Sequence, residues 1–589
     1  MEELLRSKTS EAEFLKMRRP GSIVPNVLPY LAVIIVSLPF VTVGFPDGHD
    51  SSYGLVRVAE FKYSLFNWQF PPYWAENLYG GYGSPIFLFY APLYLLVSTM
   101  CSLLAGSIAG GMMLALVLFS LAAIFGVKLM LQEVLGRHTL ENQAALRVGV
   151  YFFLLNPYLI GDLFRRNAYS EYSALCISPF AVYGLLQIRS RPCIGGLILA
   201  TSLALIILAH NLTALVITAL VLAAALIIYP PFEHHLSWRI ITANIGLSLG
   251  LSAFFWVPAI YYLPLVRNEQ NVTGKFDFHN NFPALRNLFG YEEFFSTGLL
   301  IPLVLLIAAS ILLFGPKKRD LPHKRLFLFA FGCSLLFLFL QTRLSLLVWE
   351  TVPYMPYFQF PWRMMGPLAL VASIVLGMSF AHLHRGSSRG IVLFREVAVL
   401  LLCIVNAIPQ LREARPVPWE ISRQFTTMLD PQNIRKLGLS ATYSDEYLPR
   451  VADPNAWRSA RPMLGPIVRT KSGIGLKILK DSGISIYLET DASGPTSLEL
   501  ARWFFPEWKC AVNGEACKLG LNKTGSLDVS IPPGSNRIVL DLFPPALRRL
   551  AVWVSLASLA AWLWIVIVVL GKRNKTSLVG RAVANEVRS

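Results

Sequence analysis

Apolar runs of close to twenty residues recur along the chain, each long enough to cross a bilayer. They lie near 27–45, 86–105, 111–131, 146–161, 173–188, 194–209, 212–229, 240–262, 297–315, 326–346, 364–384, 392–410 and 549–571. That pattern restricts the chain to one broad class, an α-helical polytopic membrane protein. Composition agrees, with 54% of residues hydrophobic and 15% charged. The formal net charge of +17 is carried by short clusters between the runs. The positive-inside rule explains such clusters better than a nucleic-acid surface does, so nucleic acid is excluded as a partner. The N-terminal residues are polar and charged and no small-residue site follows the first run, so no cleavable signal is expected.

Basic linkers set the expected orientation. Arg6, Lys8, Lys16, Arg18 and Arg19 place 1–26 in the cytoplasm. Arg189 with Arg191, Lys317-Lys318-Arg319, His384-Arg385 and Lys572-Arg573 mark further inner ends. These marks conflict if every run crosses. The conflict disappears if the 86–105 run, with Pro85 and Pro92, lies along or dips into the outer leaflet. About twelve spans then remain, with both termini inside. The expected organisation is a cytoplasmic segment 1–26, a transmembrane core 27–410 with a first outer loop 46–110, an extracytoplasmic β-rich domain 411–546, a final span 547–571 and a cytoplasmic tail 572–589.

The first outer loop has more content than a connection requires. It opens with Asp47, His49 and Asp50. An amphipathic stretch follows, with Leu55, Val58, Ala59, Leu65 and Phe66 on one face and Arg57, Glu60 and Lys62 on the other, which suits a helix lying in the membrane interface. A run rich in Pro, Gly and aromatics then extends from Pro71 to Pro92, and over much of its length it reads as an interfacial aromatic belt.

Residues 411–546 change character. Alternating runs such as Ile484 to Leu488 and Arg537 to Leu542, with turns at Asn513-Gly514 and Pro532-Pro533-Gly534, predict short strands. Cys510 and Cys517 flank Asn513-Gly514. A two-residue hairpin there makes them face each other across two strands, within disulfide reach. The other reading is two free thiols on a strand. Cys101, Cys176, Cys333 and Cys403 lie in apolar runs and read as packing residues.

Polar residues beside the runs are candidates for chemistry, because ionisable groups there are costly and need a task or a partner. Asp162, Arg165, Arg166, Asn167 and Glu171 form one group, His210-Asn211 a second, and Gln359 to Arg363 a third. All face the side of the first loop. Each also has a plain structural reading. Asp50 can cap a helix, Asp47 can be a turn residue, Arg166 and Glu171 can pair, Arg363 can snorkel, and His210 can end a helix. No Walker, HExxH, CxxC or GxSxG signature is present.

The stretch GHD…YGGYGSPIFLFYAPLYLL resembles a family of bacterial integral membrane proteins labelled "6-pyruvoyl-tetrahydropterin synthase-related". The likeness continues at Arg166 to Glu171, His210-Asn211, Gln359 to Arg363 and Asp445 to Pro449, with Gly54 standing where many members carry a histidine. That family in turn resembles the GT-C glycosyltransferases. The resemblance implies a many-helix core with a small outer β-rich domain and a polyprenyl-phosphate-linked sugar as donor. It also implies a catalytic carboxylate in the first outer loop, Asp50, with Asp47 as second choice.

The expected function is a glycosyltransferase at the outer face of a bacterial inner membrane, acting on an envelope glycan, lipid or protein acceptor. Asp50 would be the base, supported by His49 and Glu171, with Arg166 and Arg363 as phosphate binders and His210 and Gln359 lining the site. A divalent cation is possible from the carboxylates, but no ligand spacing decides it. The competing classes are a lipid or polysaccharide transporter or flippase, and a non-catalytic scaffold for envelope assembly. Against transport, the sequence has no inverted repeat and no matched pair of broken helices.

Overall fold

A computed structural model describes residues 23–136, 139–288, 298, 300–314, 323–416, 428–453, 468–470 and 474–586. Residues 1–22 of the expected cytoplasmic segment 1–26 and the Lys317-Lys318-Arg319 linker lie outside them. The rest forms a helical body with two small antiparallel sheets near its C-terminal end.

Among the described residues six helices are long and apolar enough to cross a membrane: Ile108–Leu135, Pro192–Ala209, Asn211–Ile228, Pro361–Leu383, Arg389–Arg412 and Ala546–Gly571. Three bent pairs raise the count to nine at most, below the twelve expected. The difference has a physical origin. The 146–161 run breaks at Asn156-Pro157 by 41°, and the 240–262 run by 71° beside Ser252. The 173–188 run becomes Tyr169–Gln187, whose Tyr, Ser and Glu residues dilute its apolar character and which is buried almost throughout. The 86–105 run resolves into a short 3-10 turn, Ile86–Leu88, and a 14-residue helix, Pro92–Ala105. At 1.5 Å per residue that helix reaches about 21 Å, short of a bilayer core of about 30 Å.

The sheets begin at Val468. The five-stranded sheet runs in the order Ile474–Asp481, Ser485–Ala492, Gly534–Leu542, Trp508–Val512, Glu515–Cys517. The four-stranded sheet runs Val468–Thr470, Thr496–Trp503, Ser526–Ile531, Leu519–Leu521. Period-two alternation does what it should, with Ile486, Leu488, Ile538 and Leu540 turned inward. The Asn513-Gly514 turn has positive φ at both residues, pairs Cys510 with Cys517, and the two form a disulfide with their Cα atoms 5.2 Å apart.

The first loop departs from its expected role as a lipid-facing belt. Trp74, Tyr79, Tyr82, Phe87 and Phe89 are buried inside protein. They form the seat of the β region: Tyr82 packs on Trp503 at 4.4 Å between ring centroids, Trp74 packs on Phe505 and Trp508, and the Trp503 N–H donates to the Tyr82 carbonyl. Gly83 has φ +80° and sits against the Trp74 indole, where a Cβ would come within 2.3 Å of Nε1, so only glycine fits. The amphipathic reading of Ser51–Phe66 also changes. Its charged face turns inward, and Arg57 and Glu60 are buried because the loop and residues 441–446 cover them and supply partners.

Candidate functional site

Two sequence motifs far apart in the chain are sewn together by their backbones. The His49 N–H donates to the Arg165 carbonyl at 2.9 Å and the Asp50 N–H to the Arg166 carbonyl at 3.2 Å. Asn167 closes the joint with a side-chain bond to the Pro46 carbonyl. A Cβ on Gly48 would overlap the Asn167 side chain, so the approach requires glycine. Asp50 thus stands at the N-terminus of helix Ser51–Phe66, in the capping position, yet its side chain accepts no capping bond. Its carboxylate remains 44% exposed, with the buried Arg57 guanidinium 3.7 Å away. Asp47 is spent differently. It pairs with Arg415 in a two-residue strand and accepts a bond from the Ser51 hydroxyl.

Arg57 is the residue that ties this corner together. It donates to the Ala441 carbonyl at 2.8 Å and lies 4.4 Å from the centre of the Tyr90 ring. Ala441 leads into Asp445 to Pro449, and the first loop positions that motif as well. The Tyr79 hydroxyl donates to Asp445, and Phe89 stacks on Tyr447 at 5.4 Å. Glu446 follows, close enough to act on Arg57, and burial raises its pKa. Tyr443 is exposed beside Tyr53, and the Lys275 ammonium lies over its ring. Partial desolvation, then Arg165, lower the His49 pKa.

The remaining candidates form a second, buried layer. Arg166 pairs with Asp162 and donates to Glu171 at 2.9 Å; Glu171 also accepts from the Tyr158 hydroxyl. Arg363 lies 3.6 Å from Glu171 and donates to Gln359 at 2.9 Å, and Gln359 donates to the Asn271 carbonyl. Trp362 covers Arg166. His210 caps helix Asn211–Ile228 through the Thr213 N–H, with Glu171 among its charged neighbours. Glu171, Arg166 and Arg363 are therefore engaged with one another, and the candidate carboxylates left open to solvent are Asp50 and, three residues before it, Asp47. Sequence reading passed over Arg57, Glu446, Tyr443 and Lys275. One signal was available: Arg57 follows Asp50 by seven residues, two helical turns on the same face. Among the described residues no group of three His, Cys, Asp or Glu side chains gathers to hold a metal ion.

No family model matches the chain and no curated protein matches it, so the family resemblance rests on the motifs quoted above. Likeness to solved structures is low. Against the arabinofuranosyltransferase AftD from Mycobacteria the TM-score is 0.41 at 17% identity, covering 68% of this chain and 27% of that one. The Archaeoglobus fulgidus oligosaccharyltransferase tethered with an acceptor peptide gives 0.39 at 13% identity, covering 74% and 61%. ArnT from Cupriavidus metallidurans bound to undecaprenyl phosphate gives 0.37 at 12% identity, covering 69% and 77%. The chain thus spans about a quarter of the length of AftD and under two thirds of that of the oligosaccharyltransferase.

Proposed function

We propose that the protein is a membrane glycosyltransferase that moves a sugar from a polyprenyl-phosphate-linked donor to an envelope glycan, lipid or protein acceptor, at the outer face of a bacterial inner membrane. One observation carries this reading. Asp50 occupies a helix-capping position without capping, half-exposed, on a loop fastened on both sides. A carboxylate held in place but left open is what a general base requires.

In this reaction Asp50 takes the proton of the acceptor hydroxyl. The acceptor oxygen attacks the anomeric carbon, the carbon–oxygen bond to phosphate breaks, and the lipid phosphate leaves with the electron pair. Arg57, 3.7 Å away, holds the Asp50 carboxylate in place. Lys275 and His49 stand on the same rim, where they meet the phosphate. Glu171, Arg166, Arg363, Gln359 and His210 form the wall behind it, stiffening the joint between the two motifs rather than touching the phosphate. The Cys510–Cys517 disulfide suits an oxidising compartment and supports the outward orientation. Incubating the purified protein with labelled polyprenyl-phosphate sugars and an envelope extract tests the proposal. Label appearing in acceptor, and lost in Asp50→Asn, is the expected result; label that only changes leaflet favours a flippase.

A further inference from the structure

Helix Ser51–Phe66 ends in a short loop whose side chains point the wrong way for water. Phe66, Trp68 and Phe70 are exposed, Trp68 at 94% and Phe70 at 83%. Between them Gln69 is buried and accepts the Trp74 N–H at 3.1 Å, which fixes the loop from within while its aromatics project outward. Trp68 has φ +63°, so the backbone itself is turned to present the indole. Three large apolar side chains within five residues form a patch that a water-facing loop avoids.

The neighbouring residues show what covers it. Tyr73 donates from its hydroxyl to the Leu542 carbonyl at 3.3 Å, and Arg548 lies over the Tyr73 ring at 3.8 Å. Those contacts pin the loop to the start of helix Ala546–Gly571, whose apolar stretch is only 6% buried and therefore faces lipid. Cations cluster at that level. Lys509 and Arg549 both approach the ring of the exposed Phe543. Leu550 and Trp553 follow, exposed, as the chain enters the apolar phase. Aromatics with flanking Lys and Arg are the composition of a membrane–water interface, where rings sit at headgroup depth and cations meet lipid phosphates.

We infer that residues 66–70 are a membrane wedge, inserted among lipid headgroups beside the last span, with Lys509 and Arg549 on the phosphates of neighbouring lipids. The wedge holds the C-terminal end of Ser51–Phe66 at the bilayer surface. The N-terminal end of the same helix carries Asp50, so the wedge sets the depth at which Asp50 meets a lipid-borne ligand. The inference does not depend on the chemistry proposed for Asp50.

The test uses the full chain in vesicles of phosphatidylethanolamine and phosphatidylglycerol. Trp68→Cys, in a chain carrying Cys193→Ser and Cys333→Ser, is labelled with an environment-sensitive fluorophore, and Phe70→Cys in the same background gives a second, independent position. Both labels should emit to the blue of their value in detergent-free buffer, lose intensity to a nitroxide quencher carried near the lipid headgroup, and resist aqueous iodide. Quenching by iodide with no effect of the lipid quencher overturns the inference, as a loop in water. Protection from both quenchers also overturns it, as a contact with protein.

Discussion

At the scale of single residues the site separates into an open carboxylate and a closed network, and substitutions should sort them. Asp50→Asn is nearly harmless if the residue only caps, because Asn caps as well as Asp. As a general base it cannot be replaced, and turnover should fall by roughly 10²–10⁴-fold with unchanged insertion and yield. Asp47→Asn loses one bond to Ser51 and should cost less; a transfer assay on both variants reads the difference. Full activity in Asp50→Asn ends its assignment as base. Arg166→Ala should behave in the opposite manner. It leaves Asp162 buried without its cation and Glu171 with Arg363 alone, which costs about 3–5 kcal/mol. The expected outcome is a lowered melting temperature in detergent and poor recovery. A stable Arg166→Ala protein with only a raised KM for donor would return Arg166 to the phosphate.

At the scale of elements, the helix Ser51–Phe66 and the loop after it carry buried carboxyls that couple the outer parts to pH. Glu60 accepts two bonds from Asn77, and Glu76 lies against Gly483 with Tyr63, Arg435, Arg502 and Asp481 around it. Burial holds Glu60 at about 7 and Glu76 at about 6, above the ordinary 4.5. The folded protein therefore keeps protons that an unfolded chain releases. That contribution is complete below 4.5 and is lost as pH rises through 6 to 7. Melting temperature should fall across that window, and Glu60→Gln should flatten the fall. An identical slope in the variant removes Glu60 from the effect. These elements also show what sequence can reveal. The helices were legible because lipid demands long apolar runs, and the hairpin because Asn-Gly between alternating residues leaves little choice. The inward turn of Arg57 and Glu60 was not legible. Amphipathic periodicity reports that two faces differ, but a charged face is drawn inward only when partners such as Ala441 and Asn77 arrive from elsewhere in the chain. The aromatic run misled for the same reason, since a ring that packs on Trp503 and one that lies in lipid have the same composition. Glu446 lay within a quoted motif, yet its place beside Arg57 depends on a contact across nearly four hundred residues.

At the scale of the whole molecule the outstanding quantity is orientation, and the native cysteines report it from both ends. Cys193 is free and exposed at the start of helix Pro192–Ala209, beside Arg191, at an end that basic residues mark as inner. Cys510 and Cys517 close the hairpin in the sheets that seat on the first loop, on the side of Asp50. Cys101, Cys176 and Cys403 are buried and do not compete for reagent, and Cys333, half-buried, is replaced by Ser. A membrane-impermeant maleimide applied to intact spheroplasts should therefore leave Cys193 unmodified, and should reach the hairpin only after reduction. Inverted vesicles should reverse the result, with Cys193 labelled at once and the hairpin silent under reductant. Peptide mapping by mass separates the two sites. Removing the disulfide by Cys510→Ser should lower stability by about 2–3 kcal/mol, the loop-closure value for so short a ring, and leave the orientation unchanged. Labelling of Cys193 from the outside would place the Asp50 loop in the cytoplasm and end the outer-face assignment, because both positions are fixed in one folded body.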